Sequence, residues 1–458
     1  MTRPNAAKKI CFAYFAHSHR PYTPLDSAYA KANILHSFPQ ASVDIVRLEA
    51  GERLMAELAG LLAKDADVYI FVLDNILWSM MFYANAAVLL AREIKKQKPQ
   101  TLVGFHSYKV TDLIARNMFK GVAELDFCLR GEPEVAMAEF YRRGDFDEVP
   151  GFVFRKPDGE LQFNPDPGLV ENLDDLPSPY LSGALDFYLD NNPGQQVFMS
   201  TTRGCPFKCH FCSRSVKFSH VRTFSLERVF AELEYLARRQ VPAVFMLDDC
   251  FIVNRRRFRE FAQGYEAHFA GLDLRRPDLY VMCRPEFLSD ELLEFLPQAN
   301  IVWVQIGLQT IAPDSRYLMG SGVTNEDYVR IADKLYQSGI ALQLDVIVGL
   351  PGDNLEYFKK TFDFAIKLRP SNLQVKQLYR NPNTLFDLHP ERYGLETESK
   401  RHFFHVPFVT DSNTFSNEEI KQAAQYVVDN RDQGNLPRIK LITEFARFND
   451  FGKASVSA

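Results

Sequence analysis

Twice along its length the chain alternates short apolar runs with stretches of helical character, and this alternation restricts the fold more than any other feature. In residues 9 to about 135 the runs KICFAYF, VDIVRL, DVYIFVLD, TLVGFH and DFCLRG are parted by helical segments at 27–38, at ERLMAELAGLLAK and at 83–97. Apolar β runs separated by helices of that length imply a parallel sheet covered on both faces, a Rossmann-like α/β domain. Ligands in such sheets sit beyond the C-terminal ends of the strands, which singles out the loops after Tyr14, Leu73 and Gly104. A second series begins at Val197, with strands at VFMST, 243–249, 279–284, 301–309, 341–349 and 373–379. Helices at 225–239, 254–269, 289–297, 325–339 and 354–368 fall between them, several with Ser or Asn placed to cap the first turn. Six strands with regular helices imply a barrel or partial barrel whose working end is its C-terminal rim.

The expected organisation is a Rossmann-like domain over 1–148, then a Pro-, Asp- and Asn-rich linker or strap over 149–196 with one hairpin signal at PDGE. A partial (β/α)6 TIM barrel over 197–384 and a small helical and loop element over 385–458 follow. The net charge of −5 lacks the concentrated Lys/Arg excess of a nucleic-acid binder, and NRRRFR at 254–259 reads as the solvated face of a helix. The N-terminal apolar run is too short for a signal peptide, and no segment reaches the ~18 apolar residues of a membrane span. The expectation is a cytoplasmic protein without nucleic-acid or membrane partners. In a reducing compartment a cysteine cluster is a metal or redox site rather than a disulfide framework. Of the seven cysteines, Cys11 and Cys128 lie in apolar runs as small buried hydrophobes, whereas Cys205, Cys209 and Cys212 crowd the loop leaving the first strand of the second series.

Three thiolates spaced CxxxCxxC on such a loop can converge on one side of a small object. Structural zinc prefers four protein ligands, and no second CxxC or CxH pair supplies the fourth; a three-cysteine zinc site is the alternative reading. Three soft ligands with one open corner suit an iron–sulfur cluster that leaves one iron for a non-protein ligand.

The run RGCPFKCHFCS closely resembles the signature of radical S-adenosylmethionine (radical SAM) enzymes. The resemblance implies a [4Fe–4S] cluster on Cys205, Cys209 and Cys212, whose open iron is chelated by the amino and carboxylate groups of S-adenosylmethionine. It further implies reductive cleavage of that cofactor to a 5′-deoxyadenosyl radical, a place beside the adenine for Phe211, and a reducing partner such as flavodoxin or ferredoxin. LDVIVGLPGD at 344–353 resembles the family's fifth-strand segment, so that the backbone through Gly349 and Pro351 approaches the adenine and Asp345 faces the cofactor. QIGLQT resembles the fourth-strand segment and makes Gln309 a candidate cofactor contact. VMCRPEFLS resembles a third-strand run, giving Arg284 as a candidate carboxylate partner. One departure is 318-LMGSG-322, where many relatives carry Arg or Lys.

A Rossmann-like domain, a strap and a radical SAM barrel, in that order, resemble the cobalamin-binding subgroup of the family over about residues 9–430, including 130-RGEPEVAMAEF-140 and 173-LDDLPSP-179. Members commonly methylate unactivated carbons with methylcobalamin. The cobalamin site departs from the subgroup's pattern. There is no DxHxxG, and 103-VGFHSYKVT-111 stands where paired glycines let the backbone approach the corrinoid tail, so that Phe105 is expected to fill that space. LDNILWSM places Asp74 and Trp78 where small hydroxyl residues are usual. The expectation is accordingly a radical SAM enzyme without cobalamin. It would abstract a hydrogen atom from an unactivated carbon of a small natural product, such as an aminosugar, or of a peptide, and the substrate radical would dehydrate, epimerise or rearrange. Asp249, which ends the second strand with Asp248 and Cys250, and Cys283, which ends the third, are the candidate acid–base group and thiol hydrogen donor. Gln374, Lys376, Tyr379 and Arg380 are candidate substrate-facing residues. The alternatives are cobalamin-dependent C-methylation and, in another class, a non-catalytic iron–sulfur electron-transfer protein.

Overall fold

The computed structural model describes residues 8–16, 22–49, 54–73, 80–214, 220–320, 322–398, 406–431 and 438–442. The chain divides into two compact units, Met1–Val197 with Arg401–His405, and Phe198–Lys400 with Val406–Ala458.

In the first unit the elements run β1 (Ile10–Phe15), α1 (Leu25–Ser37), β2 (Val43–Leu48), α2 (Leu54–Leu62), β3 (Val68–Val72), α3 (Met80–Gln97), β4 (Leu102–Ser107), α4 (Asp112–Gly121), β5 (Phe127–Arg130) and α5 (Pro133–Arg143). The strands are ordered β2-β1-β3-β4-β5, all parallel. Every residue of β1 and β3 is buried, as expected of strands covered on both faces. The order reverses between β1 and β3, the switch point at which such sheets bind ligands. The hairpin expected at PDGE joins β6 (Phe152–Arg155) to β7 (Leu161–Phe163), and the pair extends the sheet antiparallel beyond β5. Its turn uses Gly159 at φ +90°.

Phe105 is not in a loop. Strand β4 continues to Ser107, and Phe105 lies in its middle, fully buried, paired across the sheet with Phe71 and Cys128 and edge-on to the Phe71 ring. Strand alternation assigns this bulk to the core instead of the space beyond the strand ends. Gly104 has its own reason: a Cβ there would stand 2.1 Å from the Phe127 ring. Asp74 and Trp78 lie outside the described residues, as does the loop at 17–21.

The second unit contains the six expected strands, β8 (Val197–Met199), β11 (Ala243–Met246), β12 (Asp278–Cys283), β13 (Ile301–Gln309), β14 (Ala341–Val348) and β15 (Asn372–Gln377). Two short antiparallel ribbons accompany them, β9 (Thr202–Arg203) with β10 (Arg222–Thr223), and β16 (Glu396–Thr397) with β17 (Val409–Asp411). A further strand, β18 (Arg438–Ile442), pairs parallel with β15 and makes the sheet seven-stranded, in a region where the sequence pattern shows only loop and helix. Ser225, Asn254, Ser289 and Asn354 accept hydrogen bonds from first-turn amides of their helices, and Thr324 forms a full capping box with Asp327. Each such cap contributes about 1 kcal/mol.

Away from the register shifts of β13, successive side chains of the long strands point to opposite faces. On β14, Leu342, Leu344, Val346 and Val348 form the apolar face that the flanking helices cover, so Gln343, Asp345 and Ile347 face the concave side. Phe198, Phe245, Tyr280 and Trp303 meet on that side near the strand starts, with centroids 5.6–5.8 Å apart, and form an aromatic floor. Among the described residues no helix is long and apolar enough to cross a membrane.

Candidate active site

The cysteine loop leaves β9 through Gly204, whose φ of +104° belongs to a region side chains avoid. Cys205, Cys209 and Cys212 are half-buried and not disulfide-bonded. Burial pushes the Cys205 thiol up to about 11; a backbone amide of Phe207 opposes this, and the nearby charges of Asp249, Cys212 and Cys209 add to it. Three sulfurs that repel one another when ionised and sit in a partly desolvated loop make a site that favours a cationic occupant. Among the described residues no three His, Cys, Asp or Glu side chains close on one metal ion. A multi-iron cluster does not ask that of them, since each sulfur has its own iron.

Contacts from distant parts of the barrel fix the loop. The His210 amide donates to Leu318 O at 2.9 Å, and its ring Nδ1 lies 3.1 Å from the Tyr393 hydroxyl. Around the imidazole stand Tyr317, Phe386 and Tyr393, and burial together with Arg392 holds its pKa below the ordinary value. Phe211 packs on an apolar cluster that includes Leu318, Ile347, Leu350 and Leu378, and its carbonyl accepts from Asn381 Nδ2 at 2.9 Å. Cys209 Sγ donates to Met319 O at 3.4 Å and accepts from Arg284 Nη1 at 3.1 Å. Leu318 and Met319 thus supply carbonyls to the cysteine loop.

The other candidates fall on the rim of the same unit. Gln309 ends β13 at a register shift and adopts φ +60°, with its amide folded over Gly307. Asp345 is accepted into a polar nest: Gln305 Nε2 donates at 2.6 Å, Gln343 Nε2 at 3.1 Å and Lys376 Nζ at 3.2 Å. Gly349 and Gly352 both have positive φ, and a Cβ on Gly352 would meet the Asp314 carbonyl at 2.6 Å. Pro351 O accepts from Ser315 Oγ at 2.7 Å, and Gly352 N donates to Thr414 Oγ1 at 2.7 Å, so the loop after β14 is tied from two directions. Asp249 faces the cysteine loop and pairs with Arg214 at 3.3 Å.

Cys283 requires correction. The alternation of β12 puts it with Leu279 and Val281 on the buried face, opposite Tyr280 and Met282, and burial raises its thiol pKa well above the ordinary value. A thiol facing the helix layer is a packing group and not a hydrogen donor at the barrel mouth. Cys250 is likewise buried, its thiol pushed up to about 12 by desolvation. Asp248 accepts from both the amide and the hydroxyl of Thr201 and clasps the ends of β8 and β11. Tyr379 stacks on Phe408 and Arg380 pairs with Asp387, while Lys376 and Gln374 keep to the concave face. Sequence pattern marked 318-LMGSG-322 only as a departure and gave no signal for Asn381 or Tyr393, because each reaches the loop over more than a hundred residues, Leu318 and Met319 by backbone carbonyls.

Residues 199–365 match the Radical SAM superfamily. An uncharacterized methyltransferase of Pyrococcus horikoshii is 25% identical over 297 residues, 63% of this chain and 62% of that protein. The cobalamin-dependent radical SAM methyltransferase TokK of Streptomyces tokunonensis is 25% identical over 351 residues, 73% of this chain and 51% of that one. The matches therefore span less than two thirds of the length of these relatives. The radical SAM methyltransferase TsrM of Kitasatospora setae, solved with tryptophan and an S-adenosylmethionine analogue, shares the fold over 95% of this chain and 92% of its own, with a TM-score of 0.76 and 17% identity. Another structure of TsrM holds cobalamin and a [4Fe–4S] cluster. These likenesses overturn the cobalamin-free expectation: relatives of this chain are named for methyl transfer, and Phe105, on which that expectation leaned, lies in the core.

Proposed function

We propose, from the premise that residues 199–365 are a radical SAM domain, that the chain is a cobalamin-dependent radical SAM methyltransferase acting on a carbon of a small molecule or peptide. The observation that carries this reading is the doubly wound first unit, with its β1/β3 switch point, preceding the radical SAM barrel in one chain. Described residues at that edge fit a corrinoid. The hydroxyl of Ser27, in the first turn of α1, is buried with no hydrogen-bond partner among the described residues. Tyr108, just past β4, reaches the same turn and donates to Asp26 at 2.7 Å, which leaves the segment Ser107–Thr111 and the start of α1 as the holding residues.

In the barrel, Cys205, Cys209 and Cys212 would hold the [4Fe–4S] cluster, and Phe211, Gln309, Asp345, Gly349 and Pro351 would bind S-adenosylmethionine. When bound, these groups supply a 5′-deoxyadenosyl radical and cobalamin supplies the methyl group. The residues' own work is to bind and orient: Phe211 offers an apolar face, the open backbone at Gly349 permits close approach, and Asp345 with Lys376 presents one acceptor and one donor on the concave side. The chemistry requires a reductant, for which we propose a flavodoxin or ferredoxin. An oxygen-labile cluster and its donor belong in a reducing compartment, hence the cytoplasm.

The test is anaerobic purification with cobalamin supplied, then incubation with methyl-deuterated S-adenosylmethionine and a strong reductant. The reading expects a corrin absorption band, 5′-deoxyadenosine, S-adenosylhomocysteine and a deuterated methyl group on the corrinoid or product. Release of 5′-deoxyadenosine by protein that holds no corrinoid under any loading condition would overturn it.

A further inference from the structure

The guanidinium of Arg284 is held against the cysteine loop by contacts on several sides. Nη1 donates to Cys209 Sγ at 3.1 Å, Nη2 to Met319 O at 3.1 Å and to Glu286, and Nε spans both Glu286 oxygens at 3.2 Å. Its carbon lies 4.0 Å from the Phe207 ring centroid, and that ring meets Phe287 edge-on. With the side chain only 16% exposed, these contacts use four of the five N–H groups a guanidinium owns. Such a group is poorly placed to serve as the carboxylate partner that sequence resemblance implies.

We propose that Arg284 is a positioning residue that sets the reduction potential of the cluster through its N–H···S bond to Cys209, and that Glu286 moderates its charge. The inference rests on the reading of the three cysteines as cluster ligands. One-electron reduction by an external low-potential donor adds one negative charge to the group the sulfurs hold. A cationic donor on one of those sulfurs stabilises the reduced form more than the oxidised form, and partial burial strengthens the effect. No proton moves, because the guanidinium stays charged throughout. Glu286, paired to the same guanidinium, acts in the opposite sense.

The test is an electron paramagnetic resonance titration of the anaerobically reconstituted full chain, with dithionite as electron source and no S-adenosylmethionine. At a fixed potential Arg284→Gln should lower the ratio of reduced to oxidised cluster about tenfold, which is about 59 mV for a one-electron couple. Iron content should be unchanged and affinity for S-adenosylmethionine should stay within about twofold. Arg284→Lys, which keeps the charge and loses the fork, should fall between. A loaded Arg284→Gln protein with the wild-type ratio would overturn the proposal, as would a loss of cofactor affinity without a change in ratio. Should Arg284→Gln fail to hold iron, Glu286→Gln decides: a several-fold higher ratio supports the proposal, and an unchanged or lower one overturns it. Wild-type protein that takes up no cluster at all would instead remove the reading of the cysteines, a failure recognisable by its absent iron signal.

Discussion

At φ +60° Gln309 sits in the left-handed region, which costs a residue with a Cβ roughly 1–2 kcal/mol. Its amide lies where a Cβ on Gly307 would be, 2.3 Å from Nε2, so the two positions are coupled. Strain of this kind concentrates at working sites, and it is placed here at the rim end of β13. Gly307→Ala should push the Gln309 amide aside, weakening S-adenosylmethionine binding about tenfold, the worth of one hydrogen bond, with little change in melting temperature. Equilibrium dialysis and thermal unfolding measure the two effects separately. Cys283 gives the converse case. Cys283→Ala should leave 5′-deoxyadenosine formation within about twofold of wild type and cost about 1 kcal/mol of stability from lost packing. A large loss of activity in a stable variant would return that thiol to the chemistry.

Two buried carboxylates clasp the strand ends. Asp248 holds Thr201, and Asp353 holds Thr310 Oγ1 at 2.7 Å; desolvation raises each to about 6 despite these hydrogen bonds. A folded-state pKa above the unfolded value near 3.8 means that the native state binds the extra proton between those limits. This stability is fully present below about pH 4 and is lost as pH rises through about 6. Asp248→Asn keeps an acceptor for the Thr201 amide and removes the titration. Between pH 5 and 7.5 the variant should gain on the order of 1 kcal/mol relative to wild type in urea unfolding. The six main strands and their caps were legible because period-two and period-3.6 patterns are local properties of sequence. Three features were not. Strand β18 alternates only over the five residues RIKLI, too short a run to stand out in a polar tail; Gly104 reads as a strand end but is a position where only glycine leaves room for the Phe127 ring; and the partners of His210 come from loops far along the chain.

For the molecule as a whole, the residues proposed for the two metal cofactors come from different units, one from Met1–Val197 and the other from Phe198–Lys400. Loading of one should then survive loss of the other. Replacing Cys205, Cys209 and Cys212 with Ala together should abolish iron while sparing the corrin band, and Ser27→Val should weaken the corrin band while sparing iron. Iron assay and absorption spectra on the same preparations check both. The CxxxCxxC spacing and its place after the first strand of the second series were readable in the sequence, whereas the direction of Phe105 was not, since that turned on how far β4 extends. The cage around His210 carries a last consequence. Because Leu318 and Tyr393 grip the middle of the cysteine motif from far along the chain, a substitution in either distant loop should disturb the spacing of the three sulfurs without touching one of them.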